Sequence, residues 1–349
     1  LDLDHTLWGG VLGEVGPEGI TLGPDGAGKS YVDVQRAILR LREKGVLLAV
    51  NSKNNLEEVR QVLREHPHMV LREEHFASLQ VDWSPKPERM RRLAQALRLG
   101  LDSFVFVDDD PAERLQMAMA LPEVLTVEMP PNPALFPKTL LELSVFEKPA
   151  VTDEDRLRGA FYAAEPQRDA VRERAHSFEE FLSRLGMVIT IRLAEARDVD
   201  RIAQLTQRTN QFNVTTRRYQ ASEIANVMRD PGYRVYTVRL RDAFGDSGLT
   251  GVAILRVTRE EWHIEAFLMS CRIIGRRIET VFLTEILADA GRAGVRSVRG
   301  EYLPTPKNGL VREFYANEGF VPVEDGRCWS WELGHAIRTP PTWEVRIER

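Results

Sequence analysis

The sequence predicts an α/β protein in two units: a doubly wound parallel sheet, then a second α+β unit. Three observations predict it. Short apolar runs alternate with helical patterns at the start of the chain. Proline clusters break that alternation between Met129 and Val151, and a sheet pattern of different character restarts at Met187-Val188-Ile189-Thr190-Ile191. A length of 349 residues also suits two domains better than one.

Taken in order, Leu1-Asp2-Leu3-Asp4 leaves almost no strand ahead of its aspartates. A buried strand usually needs about five residues, so the sequence is expected to begin inside the first strand. Trp8-Gly9-Gly10 and the Gly- and Pro-rich stretch from Gly16 to Gly28 read as a flap or loop. A helix is expected from Tyr31 to Lys44, because Val34, Ala37, Ile38 and Leu41 repeat at helical spacing and Gly45 stops it. Val46 to Val50 is a continuous apolar run, as in a buried parallel strand. Helices follow to about Leu63 and from Pro87 to Leu99. Next come a strand at Phe104–Val107, a helix at Pro111–Met119 and a strand at Val124–Val127.

The second unit has a different rhythm. Charged helical sequence fills Asp153 to Leu185, and a helix is expected at Val199–Arg208. Paired strands follow near Arg234–Val238, Gly251–Val257 and Trp262–Met269. A helix from Gly275 to Ala293, a strand at Val295–Glu301 and a helix at Leu310–Asn317 complete it.

Composition bounds the function. Hydrophobic content of 43% and charged content of 28% are those of an ordinary soluble globular protein. A net charge of −5 argues against a nucleic-acid partner, which would call for a basic stripe. Cys271 and Cys328 are the two cysteines and make no disulfide framework, so a reducing cytoplasm is the expected compartment. No apolar run has membrane-spanning length and none reads as a signal-peptide core, so no membrane partner is expected.

Carboxylates carry the chemistry of the first unit. Asp2 and Asp4 lie just past one apolar segment, and Asp108, Asp109 and Asp110 just past another. In open α/β sheets ligands bind outside the carboxyl ends of the strands, so the two groups are expected to converge. Like charges raise each other's pKa, and a hard cation such as Mg²⁺ with oxygen ligands resolves the conflict. Asp2 can act as a nucleophile toward phosphorus. Asp4, on the same side of an extended segment, can give a proton to the leaving group and take one from water. Ser52 is placed to hydrogen-bond a transferring phosphate, and Lys86 to neutralise it.

These residues, in this order, resemble the four motifs of the haloacid dehalogenase (HAD) superfamily of phosphatases and phosphotransferases over roughly residues 1–145. The resemblance implies Asp2 as nucleophile, Asp4 as general acid/base, and a metal site built from Asp2, the Leu3 carbonyl, Asp4, Asp108 and Asp109. Gly23-Pro24-Asp25-Gly26-Ala27-Gly28-Lys29-Ser30 also fits the phosphate-binding loop of nucleotide hydrolases. That motif needs a full strand before it, and Ile20-Thr21-Leu22 is a thin one, so it is read as fortuitous.

In the second unit Cys271 stands where a strand hands over to a helix. Helix amides together with Arg272 and Arg276 would favour its thiolate, although a lone cysteine is more often buried and inert. The polar run Thr209-Asn210-Gln211-Phe212-Asn213-Val214-Thr215-Thr216-Arg217-Arg218-Tyr219 offers Asn210 and Asn213 as ligands for a small polar acid, or is simply a polar helix-to-loop transition. The strand, Arg272-x-x-Gly275-Arg276 turn and helix, with Phe314-Tyr315-Ala316-Asn317-Glu318-Gly319-Phe320, is similar to the GNAT acyltransferase fold. Its usual fuller Gly-rich turn is missing here, which favours a phosphopantetheine arm on a carrier protein over free coenzyme A.

Together, Asp2-Leu3-Asp4-His5-Thr6-Leu7-Trp8-Gly9-Gly10, the amide-rich run and Ser270-Cys271-Arg272-Ile273-Ile274-Gly275-Arg276 resemble the FkbH-like family along nearly the whole chain. One departure is Asp110, where an Asn is expected before the proline. The resemblance implies a HAD-like domain at 1–145, a linker and helical segment at 146–186 and a GNAT-like domain at 187–349. It implies a glyceryl-carrier-protein synthase that takes glyceryl from 1,3-bisphosphoglycerate, removes phosphate with Mg²⁺, and loads an acyl carrier protein through Cys271 for polyketide assembly. A stand-alone HAD phosphatase acting on a small phosphorylated metabolite, or a carrier-docking module without catalysis, are the rival readings.

Overall fold

The opening residues complete a sheet by their backbone bonds. The Leu1 amino group donates to the Ala49 carbonyl at 2.9 Å, and the Asn51 N–H donates to the Leu1 carbonyl at 2.8 Å. On the other side the Asp2 N–H donates to Val107 at 2.9 Å. The segment is therefore the central member of a sheet, despite its brevity. The computed structural model describes residues 1–147, 151–323, 327–334 and 344–347. The chain divides into two compact units, Leu1–Glu165 and Pro166–Arg349.

In the first unit α1 (Leu12–Gly19) and α2 (Gly26–Glu43) precede β1 (Leu48–Ser52), and α3 (Leu56–Glu65) precedes β2 (Phe76–Val81). Then come α4 (Lys86–Leu97), β3 (Val105–Phe106), α5 (Pro111–Ala120), β4 (Leu125–Thr126), α6 (Phe136–Leu141) and α7 (Asp153–Ala163). β1 pairs with β2 and β3 with β4, both in parallel. With the opening segment between β1 and β3, the order is β2, β1, opening segment, β3, β4. Leu48, Val50, Leu3 and Val107 meet α2 and α3 in one core, whereas Ala49 and Phe106 meet Met90, Leu93 and Met117 of α4 and α5 in another. Alternate residues of a strand face opposite sides, so helices cover both faces, as the sequence predicts.

Several elements differ from expectation. The flap contains α1, kinked at Gly16 (φ 70°), with Pro17 restarting the turn. α2 begins at Gly26 rather than Tyr31, and within its first turn Gly28 sits against the Gly23 backbone, where a Cβ would lie 2.6 Å from the Gly23 nitrogen. β2 was not among the expected strands; Phe76-Ala77-Ser78-Leu79-Gln80-Val81 mixes small and polar residues, as an edge position allows. The proline-rich stretch 129–151, whose residues 148–150 lie outside those described, contains α6, and its Phe136 and Leu140 enter the core with α2.

The stretch 146–186, read from sequence as a linker and helical segment, is shared between the units. α7 belongs to the first, where Phe161 and Tyr162 pack with Leu97. α8 (Glu165–Glu173) straddles the division, and α9 (Phe178–Arg184) belongs to the second unit, burying Phe181 and Leu182.

The second unit contains β5 (Val188–Leu193), α10 (Val199–Arg208), α11 (Ala221–Arg229), β6 (Tyr233–Asp242), β7 (Gly245–Val257) and β8 (Glu261–Met269). α12 (Ile278–Arg292), β9 (Ser297–Glu301), α13 (Phe314–Asn317), β10 (Val321–Val323), β11 (Cys328–Glu332) and β12 (Glu344–Ile347) follow. Its eight-stranded sheet runs β10-β11-β9-β8-β7-β6-β5-β12, antiparallel except for the β8–β9 and β5–β12 pairs. α12 covers one face through Ile278, Phe282 and Ile286; α10 and α11 cover the other through Ile202, Leu205 and Ile224. β8 and β9 pair only from Glu261 to Ile264. Beyond that, Val214 N–H donates to Phe267, Met269 N–H to Phe212, and Leu303 N–H to Val214. Residues 212–214 therefore fill the seam where the two strands part. No helix among the described residues is long and apolar enough to cross a membrane.

Candidate active site

The first unit gathers its charges where the strands end. Lys86, the first residue of α4, sends its Nζ to Oδ1 of Asp2 at 3.1 Å and Oδ2 of Asp108 at 2.5 Å. Both carboxylates are buried, and Lys86 is 4% exposed. Burial alone would lower the Lys86 pKa, but Asp2 and Asp108 together raise it and keep the ammonium charged. Asp108 is pushed up to about 6, first by burial and then by Asp2, with Lys86 opposing. Asp109 is raised chiefly by burial; the Thr6 hydroxyl, donating at 3.0 Å, resists this and Asp2 adds to it. A single lysine does not neutralise three carboxyl groups.

Among the described residues, Asp2, Asp108 and Asp109 form a group whose ligand oxygens all lie within 4.8 Å of one another. Hard carboxylate donors crowded so that their own charges repel fit a hard divalent cation. Asp4 and Leu3, expected beside them as ligands, are otherwise engaged. The Leu3 carbonyl accepts turn N–H groups from Leu7 at 2.7 Å and Thr6 at 3.1 Å. Asp4 accepts from Trp8 Nε1 and the Leu12 N–H on Oδ1, and from Asn54 Nδ2 on Oδ2. Ser52, the last residue of β1, is 1% exposed and meets the same Asn54 amide at 3.4 Å. It is thus linked to Asp4 rather than to Lys86.

A supporting layer escaped the sequence reading. Arg89, with no exposure, donates from Nε to Asn51 at 2.8 Å and from Nη1 to the Asp82 and Ser84 carbonyls. Asn51 in turn donates to the Lys86 carbonyl at 3.0 Å. Arg114 caps the acidic loop by donating to the carbonyls of Asp108 and Asp109. Polar residues inside helices give no periodic signal, so these roles are visible only when the loops are in place. The nucleotide-loop lookalike has no such setting. Lys29 is exposed on α2 and pairs with Asp33 one turn on.

In the second unit Cys271 is half-buried and opens a short 3₁₀ turn, Cys271–Ile273. The expected direct strand-to-helix handover is interrupted: Gly275 (φ 79°) and Arg277 (φ 57°) are left-handed, and α12 starts only at Ile278. Arg272 is buried beside the thiol in sequence. Arg276 is engaged by Asp242 at 3.1 Å, which also binds Arg168 at 2.8 Å. Asn210 accepts from Arg218. Asn213 has no exposure; its amide donates to Thr209 at 3.2 Å and accepts from Thr216 at 2.8 Å. Its side chain closes a turn, where the sequence expectation had it binding a small polar acid.

Part of the chain is similar to a protein with a phosphatase domain. That protein is the N-terminal part of BF1531 from Bacteroides fragilis, solved with its phosphatase domain complexed with Mg. Identity is 35%, over 43% of this chain and 40% of that one, with a TM-score of 0.42. The present chain therefore spans less than half of that relative. The ribosomal-protein-S18-alanine N-acetyltransferase of Escherichia coli is 17% identical over 42% of this chain and 96% of its own, with a TM-score of 0.33. Ard1 of Thermoplasma volcanium is 19% identical over 41% and 94%, with a TM-score of 0.32. The chain matches no family model and no curated protein.

Proposed function

We propose that the chain is a two-part enzyme that moves the glyceryl unit of 1,3-bisphosphoglycerate onto an acyl carrier protein, removing phosphate in the process. The observation that carries the phosphate half is the buried Asp2–Lys86–Asp108 contact with Asp109 beside it. When bound by Asp2, Asp108 and Asp109, Mg²⁺ supplies positive charge beside the phosphate oxygens. Asp2 attacks phosphorus, and the bond from phosphorus to the departing oxygen breaks as Asp4 protonates that oxygen. Asp4 then takes a proton from water as the water oxygen bonds to phosphorus and the Asp2–phosphorus bond breaks. Lys86 holds Asp2 in place throughout.

The acyl half rests on the half-buried thiol of Cys271 and on the resemblance of its sequence motifs to the FkbH-like family. An acyl phosphate is already activated, so the Cys271 sulfur bonds to the acyl carbon, the carbon–oxygen bond to phosphate breaks, the thiol proton leaves with the phosphate, and no ATP is needed. The phosphopantetheine thiol of the carrier then displaces Cys271. The ester phosphate is removed before or after that transfer.

Intact-protein mass spectrometry tests this. The chain is incubated with Mg²⁺ and 1,3-bisphosphoglycerate generated in situ, with and without phosphopantetheinylated carrier. A glyceryl-sized adduct, lost in Cys271→Ala and passed to the carrier, is expected. Phosphate release with no adduct and no loaded carrier would leave a plain phosphatase, and the acyl half would fall.

A further inference from the structure

Asp4 is held by more N–H groups than any other carboxylate of the first-unit cluster. Trp8 Nε1 donates to its Oδ1 at 2.9 Å, the Leu12 backbone N–H to the same oxygen at 3.1 Å, and Asn54 Nδ2 to Oδ2 at 2.9 Å. The three donors come from three places: the start of the flap, the first residue of α1, and the loop after β1. Trp8 has no exposure, and Asn54 is 3% exposed. Trp8 is itself fixed by the glycines that follow it. Gly9 pairs with Thr21 through two backbone bonds, and a Cβ there would lie 2.9 Å from the Tyr31 ring. Gly10 takes φ 91°, which suits glycine.

Each carboxylate oxygen offers about two acceptor positions. Among the described residues, Oδ1 of Asp4 accepts from Trp8 and Leu12, and Oδ2 from Asn54. We propose that Trp8 and Asn54 are positioning residues that hold the Asp4 carboxyl in the orientation from which it serves the departing oxygen. The inference rests on the general acid/base role given to Asp4 above and adds the groups that orient it. Asp4 passes a proton to the oxygen leaving phosphorus, then recovers one from the water that attacks phosphorus as the bond to Asp2 breaks. Trp8 and Asn54 themselves touch neither the phosphate nor the departing group.

A structural role and a positioning role differ in their dependence on the leaving group. p-Nitrophenolate departs without a proton, whereas an alkoxide needs one. Trp8→Phe, Asn54→Leu and Asp4→Asn are compared in the full chain with Mg²⁺, using p-nitrophenyl phosphate and ethyl phosphate. General acid catalysis contributes about 10²–10⁴-fold, so each positioning variant should lower kcat/KM for ethyl phosphate at least about tenfold more than for the aryl ester. The same variants should accumulate a phosphate-sized adduct on the enzyme with the aryl ester, seen by intact mass, because the water step is slowed too. Equal losses on both esters in Trp8→Phe and Asn54→Leu, with Asp4→Asn still selective, would overturn the positioning role and leave that of Asp4 intact. No selectivity in Asp4→Asn would overturn both. If either variant fails to fold by circular dichroism, Asn54→Ser, too short to reach Asp4, gives the deciding ratio.

Discussion

Lys86 and Asp108 form an ion pair with Nζ 2.5 Å from Oδ2 and side-chain exposures of 5% and 0%. Asp2 shares the same ammonium at 3.1 Å. Removing one partner of a buried pair costs about 3–5 kcal/mol, because the other charge stays buried. Lys86→Met should therefore lower stability by that order in a metal chelator. Mg²⁺ should restore more stability to the variant than it adds to the parent, since an ion that binds the folded state stabilises it more the tighter it binds. Urea unfolding with EDTA or Mg²⁺ measures both. Equal stability of variant and parent in EDTA would mean the pair contributes nothing to the fold.

Behind that pair stands Arg89, which ties Asn51 to the carbonyls of Asp82 and Ser84. Arg89→Met fills much of the volume but leaves these acceptors without their donor. Each unsatisfied buried group costs about 1–3 kcal/mol, so a loss of at least about 2 kcal/mol is expected from denaturant titration. Because Asn51 also holds the Lys86 backbone, the variant should lose phosphatase turnover beyond what its unfolded fraction explains. Unchanged turnover per folded molecule would detach Arg89 from the site.

Much of the first unit could be read before folding. Asp2, Asp108 and Lys86 stand at the ends of elements with strong apolar patterns, and those elements bring them into direct contact. What could not be read depends on loops and on polar groups facing inward. Asn51, Arg89 and Asn54 carry no periodicity, and their importance lies in partners distant in sequence. α1 was hidden by its own Gly16 and Pro17: Gly16 leaves the helical conformation, and the turn restarts at Pro17. In the second unit Asn213 had the side chain of a ligand, but its backbone lies against β8, where Val214 and Met269 exchange bonds with Phe267 and Phe212.

Asn213→Ala tests that reassignment. Its amide carries one bond from Thr216 and one to Thr209, and the Asn213 side chain has no exposure. Losing them should destabilise the second unit by about 1–3 kcal/mol, seen as a lower melting temperature. A variant with parental melting but weakened substrate binding would return Asn213 to the ligand role.

Gly300 of β9 is required by Tyr315. A Cβ at this position would lie 2.3 Å from the tyrosine ring, and Tyr315 is 1% exposed with nowhere to move. Overpacking of this kind costs about 1–3 kcal/mol. Gly300→Ala should melt earlier, and Tyr315→Ala should tolerate the same alanine better than wild type does. A double-mutant cycle by thermal unfolding reads the coupling, and strict additivity would refute the contact.

Acid should loosen the first unit through Asp82. Burial by itself would raise its pKa, but hydrogen bonds from Ser84, Arg92 and Arg89 outweigh burial and hold the carboxyl well below the usual carboxylate range. A group whose pKa is depressed on folding stabilises the protein above its unfolded value, about 3.9, and loses that contribution as pH falls below it. The side chain is 40% exposed, so solvent screens the effect and it is modest. Asp82→Asn keeps the size and removes the titration. Relative to wild type it should be less stable at neutral pH, and the gap should close as pH falls below about 4. Urea midpoints across that range provide the measurement. A gap that stays constant with pH would show that Asp82 holds the Ser84 turn by shape alone.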